Sequence, residues 1–225
     1  MGCNGSKTKE NTHSKINSSK SNHIIKQEIQ NNNNNLVVFV LGGPGSGKGT
    51  QCSKLKDNHN FVHISTGDLL RDEQEKNGPD AEYIRNTLAD GKLVKSDILV
   101  KLINNKFKEY KNTKFLLDGF PRSQENIDSW DAIISTSITA PLVLFFECSD
   151  ETMTKRILSR ALTSGRIDDN EEAIKKRLKV FHDQTLPIIK AYESLNKIKV
   201  VNCEGLPEDV YTETERCLKE LNIIS

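Results

Sequence analysis

Residues 42–51 read GGPGSGKGTQ, a combination suited to holding an anion through the backbone. Glycines let successive amide N–H groups converge on one oxygen-rich group, and a lysine at the end of the run adds a charge able to follow it. Gly42, Gly47 and Lys48 satisfy the GxxxxGK spacing of a phosphate loop, with Gly45, Ser46 and Gly49 inside or beside the cradle. The chemistry is nucleotide phosphate binding, in which Lys48 neutralises charge that moves between β- and γ-phosphates. Gly49 stands where the common pattern has Ser or Thr, and the hydroxyl comes one residue later at Thr50. That displacement leaves open whether Thr50 touches Mg2+ directly or through water. A glycine-rich turn with a surface lysine is the competing reading, and the strand before the loop and the helix after it argue against it.

The elements that must position this loop are visible around it. Residues 36–41 (LVVFVL) form an unbroken apolar run, as expected of a strand buried on both faces. Comparable runs are 114–117, ending at Asp118, 142–146, ending at Glu147, and 198–201. Between them, residues 50–59, 97–107 and 171–181 have helical spacing. The alternation predicts an α/β, three-layer fold around a central parallel sheet, where ligands collect at the carboxyl ends of the strands.

Composition narrows the function. The net charge of +1 hides a basic excess in residues 1–35, which leaves the remainder slightly acidic. Such a body lacks the sustained basic face of a nucleic-acid binder, so no nucleic-acid partner is expected. Five cysteines without CxxC spacing indicate neither a disulfide framework nor a zinc site, and point to a reducing, cytoplasmic setting. No apolar run reaches the ~18 residues of a membrane span. Residues 1–35, rich in Asn, Ser and Lys, are expected to be a disordered tail before a domain at 36–225.

Five motifs, in order, give the chain a family resemblance: GGPGSGKGT, STGDLLR at 65–71, GKLV at 91–94, LLDGFPR at 116–122 and SGRIDDN at 164–170. From Leu36 onward it resembles the nucleoside monophosphate kinases, the family of adenylate kinase and UMP/CMP kinase. The resemblance implies a P-loop fold with a small helical acceptor-binding insertion at 65–94 and a short lid at 160–170. It implies ATP and a nucleoside monophosphate as substrates, Mg2+ as cofactor and a monomer. Arg71 and Arg122 match arginines that hold the acceptor phosphate, and Arg160, Arg166 and Arg177 match those that close over the transferring group. Arginine suits these places because its planar fork grips phosphate by two hydrogen bonds and keeps its charge when water leaves. The resemblance adds Thr66, Lys92, Leu93, Val94, Gly119 and Asn126 on the acceptor side, Arg156 and Gly205 near the donor adenine, and Asp118 as the acid that orients Mg2+ or its waters. Asp168 and Asp169 either pair with lid arginines or open a helix. Ala161 replaces a glycine usual after the first lid arginine, which bears on the hinge.

Two positions bear on the acceptor. Asn126 resembles UMP/CMP kinases, where adenylate kinases have Gln, whereas Thr66 resembles adenylate kinases. Further similarity in VVFVLGGPG, LLRDE and LFFEC favours UMP, CMP and dCMP as acceptors, with AMP as the alternative. A non-catalytic nucleotide sensor is a third reading, weakened by the retention of Lys48 and the arginines. Separately, MGCNGS at the start reads as an acylation signal, with myristate on Gly2, Cys3 available for palmitate, and nearby lysines for anionic lipid. Peripheral membrane attachment follows from that reading; an unmodified low-complexity extension is its alternative.

Overall fold

A computed structural model describes residues 21–30, 35–111, 113–134, 138–166 and 168–225. Strand β1 (Leu36–Leu41) lies at the centre of a five-stranded sheet with β2 (Val62–Ser65), β3 (Lys114–Asp118), β4 (Thr139–Glu147) and β5 (Ile198–Asn202). The order is β2-β3-β1-β4-β5 and every pairing is parallel. Side chains of β1 alternate between two cores: Val37, Phe39 and Leu41 face one, Val38 and Val40 the other. This double burial is the physical reason the run is apolar at every position.

The first core is closed by α3 (Thr66–Gln74), α4 (Ala81–Ala89), α5 (Ser96–Phe107), α6 (Gln124–Ile133) and α9 (Leu186–Ser194), with Trp130 packed edge-on against Phe39 at 5.1 Å. The second is closed by α2 (Lys48–His59), α10 (Pro207–Glu220) and the C-terminal residues Leu221, Ile223 and Ile224. Helices α7 (Asp150–Ser164) and α8 (Glu171–Val180) complete the chain, α8 running into a π-helical turn at Phe181–Thr185. Ser65, Ser123, Ser149 and Asn170 cap α3, α6, α7 and α8 by accepting a backbone N–H, each worth about 1 kcal/mol.

Residues 21–30 correct the expectation of disorder over 1–35: they form a helix, α1. Ile25 is fully buried in the second core, with Ile29 beside it. Ser21 Oγ donates to the Asn196 carbonyl at 2.5 Å, and Glu28 pairs with Lys197 at 2.6 Å. Two isoleucines one helical turn apart suffice to dock a segment whose composition is otherwise that of a tail. Its partners precede β5, so α1 sits at the amino end of the sheet, away from the carboxyl edge. Residues 1–20, with Gly2 and Cys3, lie outside the described residues.

Register sets the site. Val40 and Ser65 both lie opposite Asp118, Leu41 opposite Phe145, and Glu147 opposite Asn202. The strands therefore end within about two residues of one another, and the segments beginning at Gly42, Thr66, Gly119, Cys148 and Cys203 leave the same edge of the sheet.

Candidate active site

Along that edge runs a cleft of about 1060 Å³. Every residue assigned from the sequence to phosphate, donor or acceptor lines it, from the loop at Gly45–Thr50 through Arg71 and Arg122 to Arg156, Arg166 and Gly205. Its cations outnumber its carboxylates, which are Asp68, Asp118, Asp168 and Glu204. A cleft of this sign is complementary to a polyanion.

The phosphate loop is shaped by its glycines. Gly45 has φ of 81°, and a Cβ there would lie 2.6 Å from the Met153 carbonyl oxygen, so only glycine lets α7 pack against the loop. Helix α2 begins without a side-chain cap and without an acidic residue in its first turn. Its first N–H groups are thus free to receive an anion, and the helix dipole adds attraction. Lys48 Nζ donates to the carbonyls of Gly42 and Gly43, both at 2.8 Å. Burial lowers its pKa to about 8, opposed by Asp118 and reinforced by Arg122 and Arg177. A phosphate dianion in the cleft would reverse that shift.

The arginines are held by the fold from several directions. Arg122 Nε donates to the Gly119 carbonyl at 2.6 Å, and its own carbonyl accepts from Thr185 Oγ1 at 3.0 Å. Burial lowers the Arg122 pKa, with Asp118 opposing and Arg177 and Arg71 adding to the effect. Arg71 pairs with Asp68, and Arg166 Nη2 approaches the same Asp68 oxygen at 3.7 Å. That carboxylate stands between two guanidinium groups. Burial tends to raise its pKa, but the hydrogen bonds from Arg71 and Ser65 outweigh this and hold it low.

At the lid, Arg160 makes two hydrogen bonds to Asp169, at 2.8 and 2.6 Å. Arg177 pairs with Asp168 at 2.8 Å and with Asp169 at 3.2 Å. Both aspartates therefore hold arginines, Arg160 and Arg177, while the start of α8 is capped by Asn170. Ala161 lies inside α7, where no left-handed backbone is needed, and the chain leaves that helix at Gly165, φ 62°. Arg156 donates to the Gly205 carbonyl at 3.3 Å, joining α7 to the loop after β5.

Acceptor-side residues are committed differently. Thr66 Oγ1 donates to the carbonyls of Asp118 and Gly119 at 2.9 and 3.2 Å. Asn126, 2% exposed, accepts the Arg122 N–H at 2.9 Å and donates to Ser96 Oγ at 2.7 Å. Ser96, Asp68, Thr185 and Glu204, which accepts from Ser149 N–H and Thr152 Oγ1, escaped the sequence reading. Asp68 alone had a signal, its place inside STGDLLR; the others act through contacts distant in the chain.

A glycine cradle at a strand end, one lysine beneath it and arginines facing it from two sides define a P-loop phosphotransferase working between two phosphorylated substrates. The family model for adenylate kinase matches residues 40–197. UMP-CMP kinase 3 of Oryza sativa subsp. japonica is 43% identical over 179 residues, covering 80% of this chain and 83% of that protein. Uridylate kinase of Saccharomyces cerevisiae is 41% identical over 188 residues, 82% of this chain and 91% of the yeast protein. UMP-CMP kinase of Homo sapiens is 39% identical over 186 residues, 79% and 94%. The chain belongs to the adenylate kinase family of nucleoside monophosphate kinases, enzymes that use ATP to phosphorylate a nucleoside monophosphate.

Proposed function

We propose that this kinase phosphorylates UMP and CMP, with dCMP as a further acceptor. The observation that carries the reading is the Asn126 amide, fixed from behind by Arg122 N–H and Ser96 Oγ at the acceptor side of the cleft. One Nδ2 hydrogen and one Oδ1 lone pair remain. The first suits the 4-oxo group of uracil and the second the 4-amino group of cytosine, so one side chain serves both bases. The relatives named as UMP-CMP kinases support this choice. Thr66, which resembles adenylate kinases, commits its one hydroxyl proton to backbone carbonyls and keeps only acceptor capacity.

In this reading the loop amides and Lys48 hold the ATP phosphates, with Lys48 exchanging its carbonyl partners for phosphate oxygens. Arg71 and Arg122 hold the acceptor phosphate; Arg160, Arg166 and Arg177 surround the group in transit. Lys92, Leu93, Val94 and Gly119 line the acceptor side, and Arg156 covers the donor base near Gly205. Catalysis is then positioning and charge stabilisation in a site from which residues 160–170 exclude water. Mg2+ fits the cleft: Asp118 and Thr50 are oxygen donors lining it beside the loop, of the kind this hard cation takes directly or through water. When bound, Mg2+ neutralises phosphate charge.

We also assign the acylation signal of residues 1–6 a role in attaching a monomeric, cytoplasmic enzyme to a membrane surface; among the described residues no helix is long and apolar enough to cross one. Gly2→Ala followed by membrane fractionation tests this, unchanged association counting against it. For the acceptor, a coupled assay with ATP and each of UMP, CMP, dCMP and AMP should show the pyrimidine nucleotides preferred. Transfer to AMP alone would reject the assignment.

A further inference from the structure

Behind the phosphate loop, three side chains from three elements meet: Cys52 of α2, His63 of β2 and Asp118 at the end of β3. Their donor atoms all lie within 4.8 Å of one another. Cys52 is fully buried, and the side chains of His63 and Asp118 are 14% and 12% exposed. His63 Nε2 lies 3.4 Å from Asp118 Oδ2, yet it is a buried nitrogen without a hydrogen-bond partner. Buried polar atoms are nearly always satisfied, so an orphaned imidazole nitrogen beside a thiol and a carboxylate calls for a ligand.

We propose that Cys52, His63 and Asp118 form a binding site for a borderline-soft divalent cation, Zn2+ by chemical class, and that its occupation inhibits the kinase. One sulfur, one imidazole nitrogen and one carboxylate oxygen are the donor set such an ion prefers, whereas Mg2+ rejects thiolate. Tetrahedral Zn2+ places its donors roughly 3.5 Å apart, so donors within 4.8 Å of one another need to contract by about 1.3 Å at most. His63 and Asp118 line the cleft while Cys52 closes the site from behind, which leaves the fourth position open to water or a phosphate oxygen. Binding releases the Cys52 proton to solvent and forms a metal–thiolate bond. Asp118 turned toward the ion is lost to Mg2+, and a second positive charge is brought close to Lys48; both effects lower turnover. This goes beyond the choice of acceptor, and its binding arm needs no nucleotide, so the two readings fail separately.

The test uses the full chain with Cys3→Ser and Cys148→Ser, which removes the cysteine of the tail and the half-buried one. Co2+ is the optical probe, and Zn2+ affinity is read by competition with a chromophoric chelator. One equivalent of Co2+ should bind with a thiolate-to-cobalt charge-transfer band that Zn2+ abolishes and Mg2+ does not. Cys52→Ala should remove the band. His63→Gln should weaken Zn2+ binding at least as much as the roughly 10–100-fold loss caused by removing a supporting partner of a metal ligand. Zn2+ inhibition of turnover, reversed by chelator, should weaken in parallel. Absence of the band, or Zn2+ affinity unchanged in His63→Gln, overturns the proposal. Inhibition equal in parent and variants assigns the effect to Zn2+ replacing Mg2+ on ATP and overturns it too. Should Cys52→Ala fail to fold, the His63→Gln affinity decides.

Discussion

Gly119→Ala separates the two substrates by one methyl group. Gly119 follows β3 with φ of 80°, in the left-handed region where a Cβ costs about 1–2 kcal/mol. The added carbon would lie 2.3 Å from Arg122 Nη2 and 2.9 Å from Thr66 Oγ1. Thr66 is 2% exposed and held by two carbonyls, so it has nowhere to go. The Arg122 guanidinium ends a flexible side chain and must be what moves, breaking its 2.6 Å bond to the Gly119 carbonyl. A charged hydrogen bond of this kind contributes about 1.5–3 kcal/mol, and losing one preorganised donor to transition-state charge costs about 10²–10³ in rate. Steady-state kinetics should show kcat/KM for the acceptor reduced by about 10²-fold or more. ATP affinity, measured without acceptor, should stay within about twofold, because the loop amides and Lys48 are untouched. The backbone cost should appear as a Tm lowered by about 2–8 °C. Normal acceptor kinetics with a lowered Tm would refute the placement of Arg122 against the acceptor phosphate. Equal losses for ATP and acceptor would refute the division of the cleft.

Three further outcomes follow from the same geometry. Lys48, lowered by burial to about 8, should take up a proton when ATP binds near pH 8, detected by calorimetry in buffers of different ionisation enthalpy and abolished in Lys48→Met. Because the unfolded lysine keeps its proton to its ordinary 10.5, the unfolded state binds more protons between about 8 and 10.5, and the Lys48 contribution to unfolding free energy rises with pH there. Ile25→Ala should cost about 2–4 kcal/mol, a Tm drop of roughly 4–16 °C, with Gln27→Ala on the exposed side of α1 nearly neutral; equal melting of the two variants would mean α1 is not docked. Asp169→Asn leaves Arg160 and Arg177 without a shared charge and should lower kcat about tenfold or more through lid misplacement; an unaltered kcat would show that these pairs merely brace α8.

What the sequence disclosed, and what it withheld, divides by how strongly physics restricts residue choice. A strand covered on both faces admits only apolar side chains, so β1, β3 and β4 stood out; β5, at the opposite edge, showed only as a short run interrupted by Lys199. Strand β2 did not: VHIS mixes polar and apolar residues because it lies at the sheet edge, and two of its side chains turn toward the cleft. Helix α1 was hidden by Asn and Lys, since a docked helix needs few buried residues when its remaining faces meet water. The π-helical turn at Phe181–Thr185 has no composition of its own; what makes it matter is that it brings Thr185 to the Arg122 carbonyl.

The same division runs through the site. On the protein side phosphate charge is met mainly by backbone amides, Lys and Arg, so those positions are marked in a chain that moves a phosphoryl group. The groups that aim them carry no such mark, because the task of holding an arginine or an amide falls equally to a carbonyl, a hydroxyl or a carboxylate. Arg122 shows the consequence: its identity was legible, but its direction depends on Gly119 three residues before it and on Thr185 across the cleft. Asn126 is the stronger case. In the role proposed for it, its amide has one donor and one acceptor left for a base because Ser96 and the Arg122 backbone occupy half of its hydrogen-bonding capacity, and that division is fixed where α5, α6 and the end of β3 come together. If the proposed role holds, specificity belongs to the partners of Asn126 as much as to Asn126, and Ser96→Ala should alter the ratio of kcat/KM for UMP and CMP while every motif remains intact.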